Sequence, residues 1–257
     1  MNQKNLLFVI ILITTTACAE QKNENWVSIF NGENLDGWTV KFSGYELGEN
    51  YKNTFRAGYG ILSANYDEYE NFNAEWGHIF YKEKLSHYRL RLEYRFTGDT
   101  IPGAPEWAIR NNGIMFHTQS PDSMEIIHGW PVSLEFQLLG GLSDGNERPT
   151  GNVCTPGTHI LIKGELVKQH CINSTSKTFD GDQWVKAELE VKDDEIIRHY
   201  INGELVFEYT KPIADASDPE QPAHPYADAL PIKDGYIALQ AEGHPTDFRN
   251  IELLKLD

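Results

Sequence analysis

The sequence predicts an all-β protein built as a β-sandwich or jelly roll. Apolar and polar side chains alternate with a period of two through most of the chain after residue 26, and a helical period is almost missing. Turn residues separate these stretches at short intervals, as is typical of two packed antiparallel sheets. With 257 residues, 40% of them hydrophobic, the chain can fill one large core but not two comfortable ones.

The first segment predicts export. Lys4 precedes an apolar run from Leu6 to Ile13, which is too short to span a bilayer, and the run is followed by Cys18. We interpret residues 1–17 as a lipoprotein signal peptide, Cys18 as the lipidated residue and residues 18–25 as a tether. The protein is then expected in the periplasm or at the cell surface, anchored to the outer membrane through its lipid alone. Ordinary secretion, with Cys18 as a bystander, remains the alternative.

Alternating stretches predict the strands of the domain, residues 26–257. The pair Asn202-Gly203 supplies the two positive φ angles that a two-residue type I′ hairpin requires. The predicted strands are Tyr88–Phe96, Asn112–Thr118, Ser133–Leu139, Thr158–Ile162, Trp184–Val191, Ile196–Ile201, Glu204–Tyr209, Tyr236–Ala241 and Phe248–Leu254.

Two long stretches have no such pattern, residues 98–111 and 211–234. The second contains Pro212, Pro219, Pro222, Pro225 and Pro231. Irregular segments of this length inside a compact domain usually bind or cover a ligand. We therefore expect both to lie beside a binding site.

Two cysteines remain after Cys18, and export favours a disulfide between Cys154 and Cys171. Two buried free thiols are the alternative. Neither cysteine has the CxxC or CxxH spacing of a structural zinc site.

The formal net charge of −16 limits the partners of the protein. Such a surface repels nucleic-acid phosphates and anionic lipid headgroups, so we expect no nucleic-acid partner. A neutral sugar is indifferent to this charge.

Stretch 133–139 predicts a polar floor on one sheet. In a strand, Glu135 and Gln137 project to one face, whereas Leu134, Phe136 and Leu138 project to the other. The apolar face would pack in the core, and a sugar could lie on the polar face.

Five segments stand in a characteristic order along the chain. They are Ile29-Phe-Asn-Gly-Glu-Asn-Leu-Asp-Gly-Trp38, Asn112-Gly-Ile-Met-Phe116, residues 133–139, Ile197-Arg-His-Tyr-Ile-Asn-Gly203, and residues 235–253 with their Phe-Arg-Asn at 248–250. Each segment alone is common, but in this order they resemble one bacterial family, the 3-keto-disaccharide hydrolase domain family, formerly a domain of unknown function. The resemblance spans residues 26–257.

The resemblance implies a concanavalin A-like jelly roll that cleaves 3-keto-glycosides. A separate sugar 3-oxidoreductase would make the ketone. One base would then remove the acidified C2 proton while the C1 substituent leaves, and water would add to the product. A divalent metal ion of unknown identity, or an Arg or His donor, would polarise the ketone; no nucleotide cofactor is expected.

A conventional jelly-roll glycosidase needs more carboxylates than this strand carries. Such enzymes commonly have a Glu-x-Asp-x-Glu pattern, whereas the positions here are Glu135, Gln137 and Leu139. A neutral amide can neither attack C1 nor donate a proton usefully, although Glu242 or Asp144 could supply a distant partner. A conventional β-glycoside hydrolase and a non-catalytic carbohydrate-binding lipoprotein remain the alternatives.

Candidate site residues follow from these considerations. We assign Glu135 as the general base, with a solvated strand glutamate as the alternative. His199 matches a histidine that recurs in the family before an Asn-Gly turn, and the resemblance implies an acid or ligand there; a hydrogen-bonded core histidine is the alternative. Six further residues are predicted to bind substrate: Gln137, His117, Gln240, Glu242, Arg249 and Trp130.

These six carry alternatives of their own. Gln137 could also bind a metal. The family often has arginine at the position of His117, so this sequence departs from the family pattern at that predicted substrate-binding residue. Gln240 and Glu242 could simply end a strand, and Arg249 could form a structural salt bridge, or pair with Glu135. Trp130 is expected to stack on a sugar face with Trp76 or Trp107, and the alternative is core packing. His159 and His170, which flank the cysteine loop, have no recognised metal spacing.

Overall fold

The protein is a jelly-roll β-sandwich, as predicted. A computed structural model describes residues 24–221 and 223–256, and among them the regular structure consists of strands and three short 3₁₀ turns. The strands are β1 (Val27–Ser28), β2 (Trp38–Phe42), β3 (Phe55–Gly58), β4 (Ile61–Ala64), β5 (Gly77–Tyr81), β6 (His87–Phe96), β7 (Asn111–Thr118), β8 (Leu134–Leu139), β9 (Asn152–Cys154), β10 (Thr158–Ile162), β11 (Glu165–Val167), β12 (Cys171–Ile172), β13 (Val185–Lys192), β14 (Ile196–Ile201), β15 (Glu204–Ala214), β16 (Tyr236–Ala241) and β17 (Thr246–Lys255).

Two antiparallel sheets form the layers. The larger sheet has the order β11-β10-β15-β14-β13-β6-β17-β4-β3, with β1 added beside β17, and the smaller sheet has the order β12-β9-β8-β7-β16-β5-β2. Neighbouring strands are mostly distant in sequence, so closing the sandwich brings residues from every part of the domain onto one sheet. The candidate site lies on the smaller sheet.

The core fills the space between the sheets. On β8 the side chains of Leu134, Phe136 and Leu138 are fully buried, and on β6 Tyr88 and Leu90 face them from the other layer. Because strand side chains alternate, the same pleat that buries Phe136 turns its neighbours Glu135 and Gln137 to the opposite face. The polar floor therefore follows directly from how the core packs.

Most predicted strands are present, with ends shifted by one or two residues. The Asn202-Gly203 turn joins β14 to β15 with φ angles of 50° and 86°, as a type I′ hairpin requires. β15 continues to Ala214, so the second irregular stretch begins at residue 215 rather than 211. The first irregular stretch is confirmed apart from a short 3₁₀ turn at Glu106–Ala108.

The predicted signal peptide, Cys18 and most of the tether lie outside the described residues. Within residues 24–221 and 223–256, no helix is long and apolar enough to cross a membrane.

Candidate active site

A large cavity opens on the outer face of the smaller sheet. Its volume is about 1060 Å³, at the upper end of what small-molecule sites use. Strands β7, β8 and β9 form its floor, and the irregular stretches around residues 106–107 and 215–221 form two of its walls. Both predicted irregular segments thus border the cavity. Of the predicted site residues, Glu135, Gln137, Trp130 and Glu242 line it.

Strand register places a row of polar residues across this floor. Gln240 on β16 lies opposite His78 on β5 and beside Gly113 on β7, and Gly113 lies opposite Gln137 on β8. Gln137 in turn pairs with Asn152 on β9, whose Nδ2 donates to Gln137 Oε1 at 3.0 Å. Directly opposed residues share a face, so the row is continuous.

Gly113 is the gap in this row that lets two polar side chains meet. A Cβ atom at Gly113 would lie 2.5 Å from Oε1 of Glu135 and 2.5 Å from Oε1 of Gln240. At most twice that distance therefore separates the two oxygens. Only glycine leaves the space in which these side chains lean together over the strand.

Glu135 and Glu242 form a buried pair of carboxyl groups. Their exposed fractions are 7% and 3%. Burial raises the pKa of Glu242 to about 7. Burial, and then the neighbouring charge of Glu242, raise the pKa of Glu135 well above its usual range. Carboxyls that interact in this way titrate as a pair, which holds one proton near neutral pH.

Two donors distinguish the members of the pair. Trp130 Nε1 donates to Oε1 of Glu242 at 2.8 Å, and Asn111 Nδ2 donates to Oε2 at 3.2 Å. Donors on both oxygens favour the ionised form of Glu242. The shared proton is therefore favoured on Glu135.

Three tryptophans build an aromatic wall beside the carboxyl pair. Trp76 stacks on Trp107, with ring centroids 5.2 Å apart and planes at 22°, and contacts Trp130 at 4.7 Å. Trp107 is 48% exposed and Trp130 lines the cavity. An indole face of this kind is suited to stacking on the C–H face of a sugar.

Arg148 is a site residue that the sequence did not reveal. Its side chain lines the cavity, and its Nη1 donates to the backbone carbonyls of Arg110 and Gly140. These two bonds fix a guanidinium near the floor with further N–H groups available to a ligand. Asn111, which holds Glu242, was missed as well, because it lies at the edge of the first irregular stretch.

The far end of the cavity is closed by the disulfide. Cys154 on β9 and Cys171 on β12 lie directly opposite each other and are bonded, with a Cα–Cα distance of 4.1 Å. His170 lies at this end, together with His159, whose Nε2 is 3.2 Å from Asp215 Oδ2.

His199 does not reach this cavity. Its ring stacks on Phe136 at 4.1 Å, and its nitrogens contact the carbonyl of Gly151 at 3.0 Å and the hydroxyl of Tyr209 at 3.2 Å. Phe136 points into the core while Glu135 points away from it, so His199 lies on the other side of the sheet. The structure places it as a hydrogen-bonded core histidine, which was the alternative interpretation.

His117 and Arg249 are also placed elsewhere. A φ of 49° takes His117 out of the alternation of β7, and its Nε2 lies 3.0 Å from the carbonyl of Asp193, in a turn of the larger sheet. Arg249 binds Glu93 at 2.7 Å and stacks over Trp184 at 4.0 Å on the larger sheet. Arg249 is therefore a structural ion-pair residue and does not pair with Glu135.

The described residues do not include three or more His, Cys, Asp or Glu side chains grouped to hold a metal ion. The cavity offers the carboxyl pair with amide oxygens from Gln137 and Asn111, and Glu242 is already engaged by two donors.

The family model described as the 3-keto-alpha-glucoside-1,2-lyase-like domain matches residues 25–254. The chain belongs to this family.

Two solved structures from Parabacteroides distasonis ATCC 8503, each described as a putative glycosyl hydrolase, have the same fold. One has a TM-score of 0.53 at 18% identity and covers 96% of this chain and 99% of its own. The other has a TM-score of 0.52 at 18% identity and covers 90% of this chain and 100% of its own. No curated protein matches the chain. Family and site together support a carbohydrate-active protein.

Proposed function

We propose that the protein cleaves 3-keto-glycosides by elimination across the C1–C2 bond, followed by addition of water. The observation that carries the proposal is the buried Glu135–Glu242 pair, which holds one proton and one charge beside an aromatic wall. Elimination needs one base and one acid in the same pocket. The description of the family supports the same chemistry.

The donors on Glu242 assign the roles. Glu242, held ionised by Trp130 and Asn111, removes the C2 proton, and the electrons of the C–H bond move to the C3 oxygen as an enolate. Those electrons then form the C1–C2 double bond while the C1–O bond breaks, and the leaving oxygen takes its proton from Glu135. The sequence predicted Glu135 as the base, whereas in this proposal Glu135 is the acid and Glu242 is the base.

Addition of water resets the pair. After elimination Glu242 carries the proton and Glu135 carries the charge. Glu135 then takes a proton from a water molecule while the oxygen of that water attacks C1. Glu242 returns its proton to C2. Each group acts once as acid and once as base, so elimination and hydration together amount to hydrolysis of the glycoside.

Cationic and amide donors would stabilise the enolate. Arg148 is anchored by two backbone carbonyls, and its side chain lines the cavity. A fixed guanidinium beside developing negative charge stabilises the transition state more than the ground state. Gln137 lines the cavity on the same strand as Glu135, with its Oε1 held by Asn152, and its amide nitrogen would bind a sugar hydroxyl.

Turnover on matched substrates tests the proposal. We expect cleavage of 3-keto-glucosides and little cleavage of the same glucosides unoxidised, because an ordinary C2 proton is not acidic. Both series are assayed with and without EDTA, which tests the metal that the resemblance implied. Ketone-independent turnover of the parent glycosides would contradict elimination.

A conventional glycosidase is the second candidate, because Glu242 supplies the second carboxyl that β8 lacks. Such an enzyme would cleave the parent, unoxidised glycosides. Binding of both sugar series without turnover of either would instead indicate a carbohydrate-binding lipoprotein. The convergence of Glu135, Glu242 and Arg148 in one concave cavity favours an enzyme.

We propose the cellular setting from the sequence alone. The protein would act after export, held to the outer membrane by lipid on Cys18, and a sugar 3-oxidoreductase would supply its substrate.

A further inference from the structure

We propose that His78 and Gln240 are positioning residues that keep the shared proton on Glu135, by aiming an amide oxygen at its carboxyl group. The inference rests on the acid–base pair of the proposed function. Neither residue is placed against the substrate: Gln240 is fully buried and His78 is 1% exposed.

Four buried polar atoms in this part of the sheet lack partners. They are Nδ1 and Nε2 of His78 and Oε1 and Nε2 of Gln240. An unpaired buried polar atom is destabilising, so four of them in two opposed residues call for an explanation. The two residues are directly opposed on β5 and β16, where side chains are in contact range.

The orientation of the Gln240 amide decides what it does to Glu135. Its Oε1 is on the side of Gly113, where Oε1 of Glu135 also lies. The amide nitrogen has no partner, and the residue opposite Gln240 on β5 is His78, whose two ring nitrogens also lack partners. An ionised Glu135 would face an oxygen with its own negative charge, whereas a protonated Glu135 can donate to it.

His78 is able to hold the amide in this orientation. Burial, and then the charge of Lys41, lower the pKa of His78 to about 3, so the ring is neutral in ordinary buffers. A neutral imidazole keeps one acceptor nitrogen, and the N–H of Gln240 can donate to it. The chain from His78 through Gln240 to Glu135 would then satisfy three orphaned atoms and fix the proton.

Other ionisable groups also face this region. Beside Glu135 they are Glu242, just after β16, and Arg148, before β9; Glu106 and His170 also line the cavity. Beside His78 they are Lys41 on β2 and His128, in the loop that contains Ile126 and Ile127. Lys41 donates to the carbonyls of Phe42, Tyr45 and Ile126. None of these supplies the amide oxygen on which the proposal depends.

The test is a direct titration of Glu135 by carboxyl-carbon NMR, with the signal assigned by its loss in Glu135→Gln. Gln240→Met and His78→Phe remove the amide oxygen or its support, and we expect each to lower the pKa of Glu135 by about one unit. His78→Gln, which retains an acceptor, should keep the native value. His128→Phe is the matched control, because His128 is also buried and unpartnered but lies outside the row.

The sign of the shift decides the result. The competing arrangement is a Gln240 amide nitrogen that donates to the Glu135 carboxyl, a hydrogen bond that would lower the pKa of Glu135. A rise in that pKa in Gln240→Met, or no change, would overturn the proposal. If His78→Phe does not fold, Gln240→Met and His78→Gln still decide.

The titration needs no substrate, so it separates this inference from the proposed function. A shifted Glu135 with no turnover of 3-keto-glycosides would refute the function and leave the positioning pair intact. Turnover of 3-keto-glycosides, with the pKa of Glu135 unchanged in the variants, would refute the positioning role and leave the proposed function intact.

Discussion

Glu242 illustrates how much of the proposed chemistry depends on single contacts. It follows β16, which is separated from the strand of Glu135 by β7, and it is chemically the same group, yet Trp130 and Asn111 donate only to Glu242. Two hydrogen bonds to a buried carboxylate are sufficient to separate two otherwise similar acids into a base and an acid. The same contacts make the roles separable by experiment.

The first prediction concerns the leaving group. Glu242→Gln should lower kcat roughly 10²-fold or more on every 3-keto-glycoside, because C2 proton removal loses its base. Glu135→Gln should cost as much for an alkyl glycoside but far less for a 4-nitrophenyl glycoside, whose leaving oxygen needs no proton. The opposite pattern in steady-state rates would return the base to Glu135.

The second prediction concerns Gly113. An alanine there would meet Glu135 and Gln240 side-chain atoms at 2.5 Å, so both carboxyl and amide must move. We expect a folded protein with kcat reduced about 10²-fold, as for a catalytic group displaced by about 1 Å. Gly58→Ala on β3, where a Cβ meets nothing within 4 Å, is the control. Equal activity of the two variants would show that the gap at Gly113 has no role.

At the scale of the element, β8 was predictable and β5 was not. Alternation in β8 is clean, because one face packs in the core and the other borders the cavity. All five residues of β5 are buried, since the core covers one face and the loop around Ile126 and Ile127 covers the other. A strand covered on both faces has no period of two, so His78 could not be assigned from the sequence.

The alternation of side chains along β14 also indicated the correct position of His199. It shares its face with Ile197 and Ile201, which are core residues, while Arg198 and Tyr200 point outward. The resemblance favoured a site role, and the alternation favoured the core. Arg148 gave no signal at all, because its place in the cavity depends on how a loop folds back over β7.

The third prediction concerns the disulfide between β9 and β12. β12 has only two residues, so the covalent bond is a large part of what holds this edge. Replacing both cysteines by serine should lower the free energy of unfolding by about 3 kcal/mol. The measurement is urea unfolding of the purified domain, with Leu166→Ser, an exposed position nearby, as control. An unchanged midpoint would contradict it.

At the scale of the whole molecule, buried neutral imidazoles make the sandwich sensitive to acid. Burial lowers the pKa of His78 to about 3 and the pKa values of His117, His199 and His244 to about 4. The unfolded chain binds these protons near pH 6.5, so it holds more protons than the native state between pH 6.5 and about 4. Stability is therefore lost as the pH falls through that range.

The fourth prediction follows with its sign. The free energy of unfolding should fall between pH 6.5 and 4.5, by about 1.4 kcal/mol per pH unit for each imidazole. Glu135 and Glu242 act oppositely, since raised carboxyl pKa values stabilise the native state at low pH and this contribution is lost as the pH rises to about 7. The double variant Glu135→Gln/Glu242→Gln should consequently decline more steeply on acidification. Urea titrations at four pH values measure both slopes, and parallel slopes would contradict the argument.

The fifth prediction concerns attachment. Because the lipid is the only anchor that the sequence predicts, Cys18→Ser should release the protein from membranes into the soluble fraction. Mass spectrometry of the native protein should find a lipid-modified Cys18 at the mature N-terminus. A mature protein that begins elsewhere would refute lipidation.

The contact between Trp130 and Glu242 also gives the protein an intrinsic optical probe. Indole emission responds to a charge placed on its N–H and to a stacked neighbour, and Trp130 has both, with Glu242 at 2.8 Å and Trp76 at 4.7 Å. Loss of the charge on Glu242, or a ring of substrate laid against Trp107, changes the excited state of the same aromatic cluster. Native fluorescence can therefore follow the occupancy and the ionisation of the pocket in real time, with no label attached.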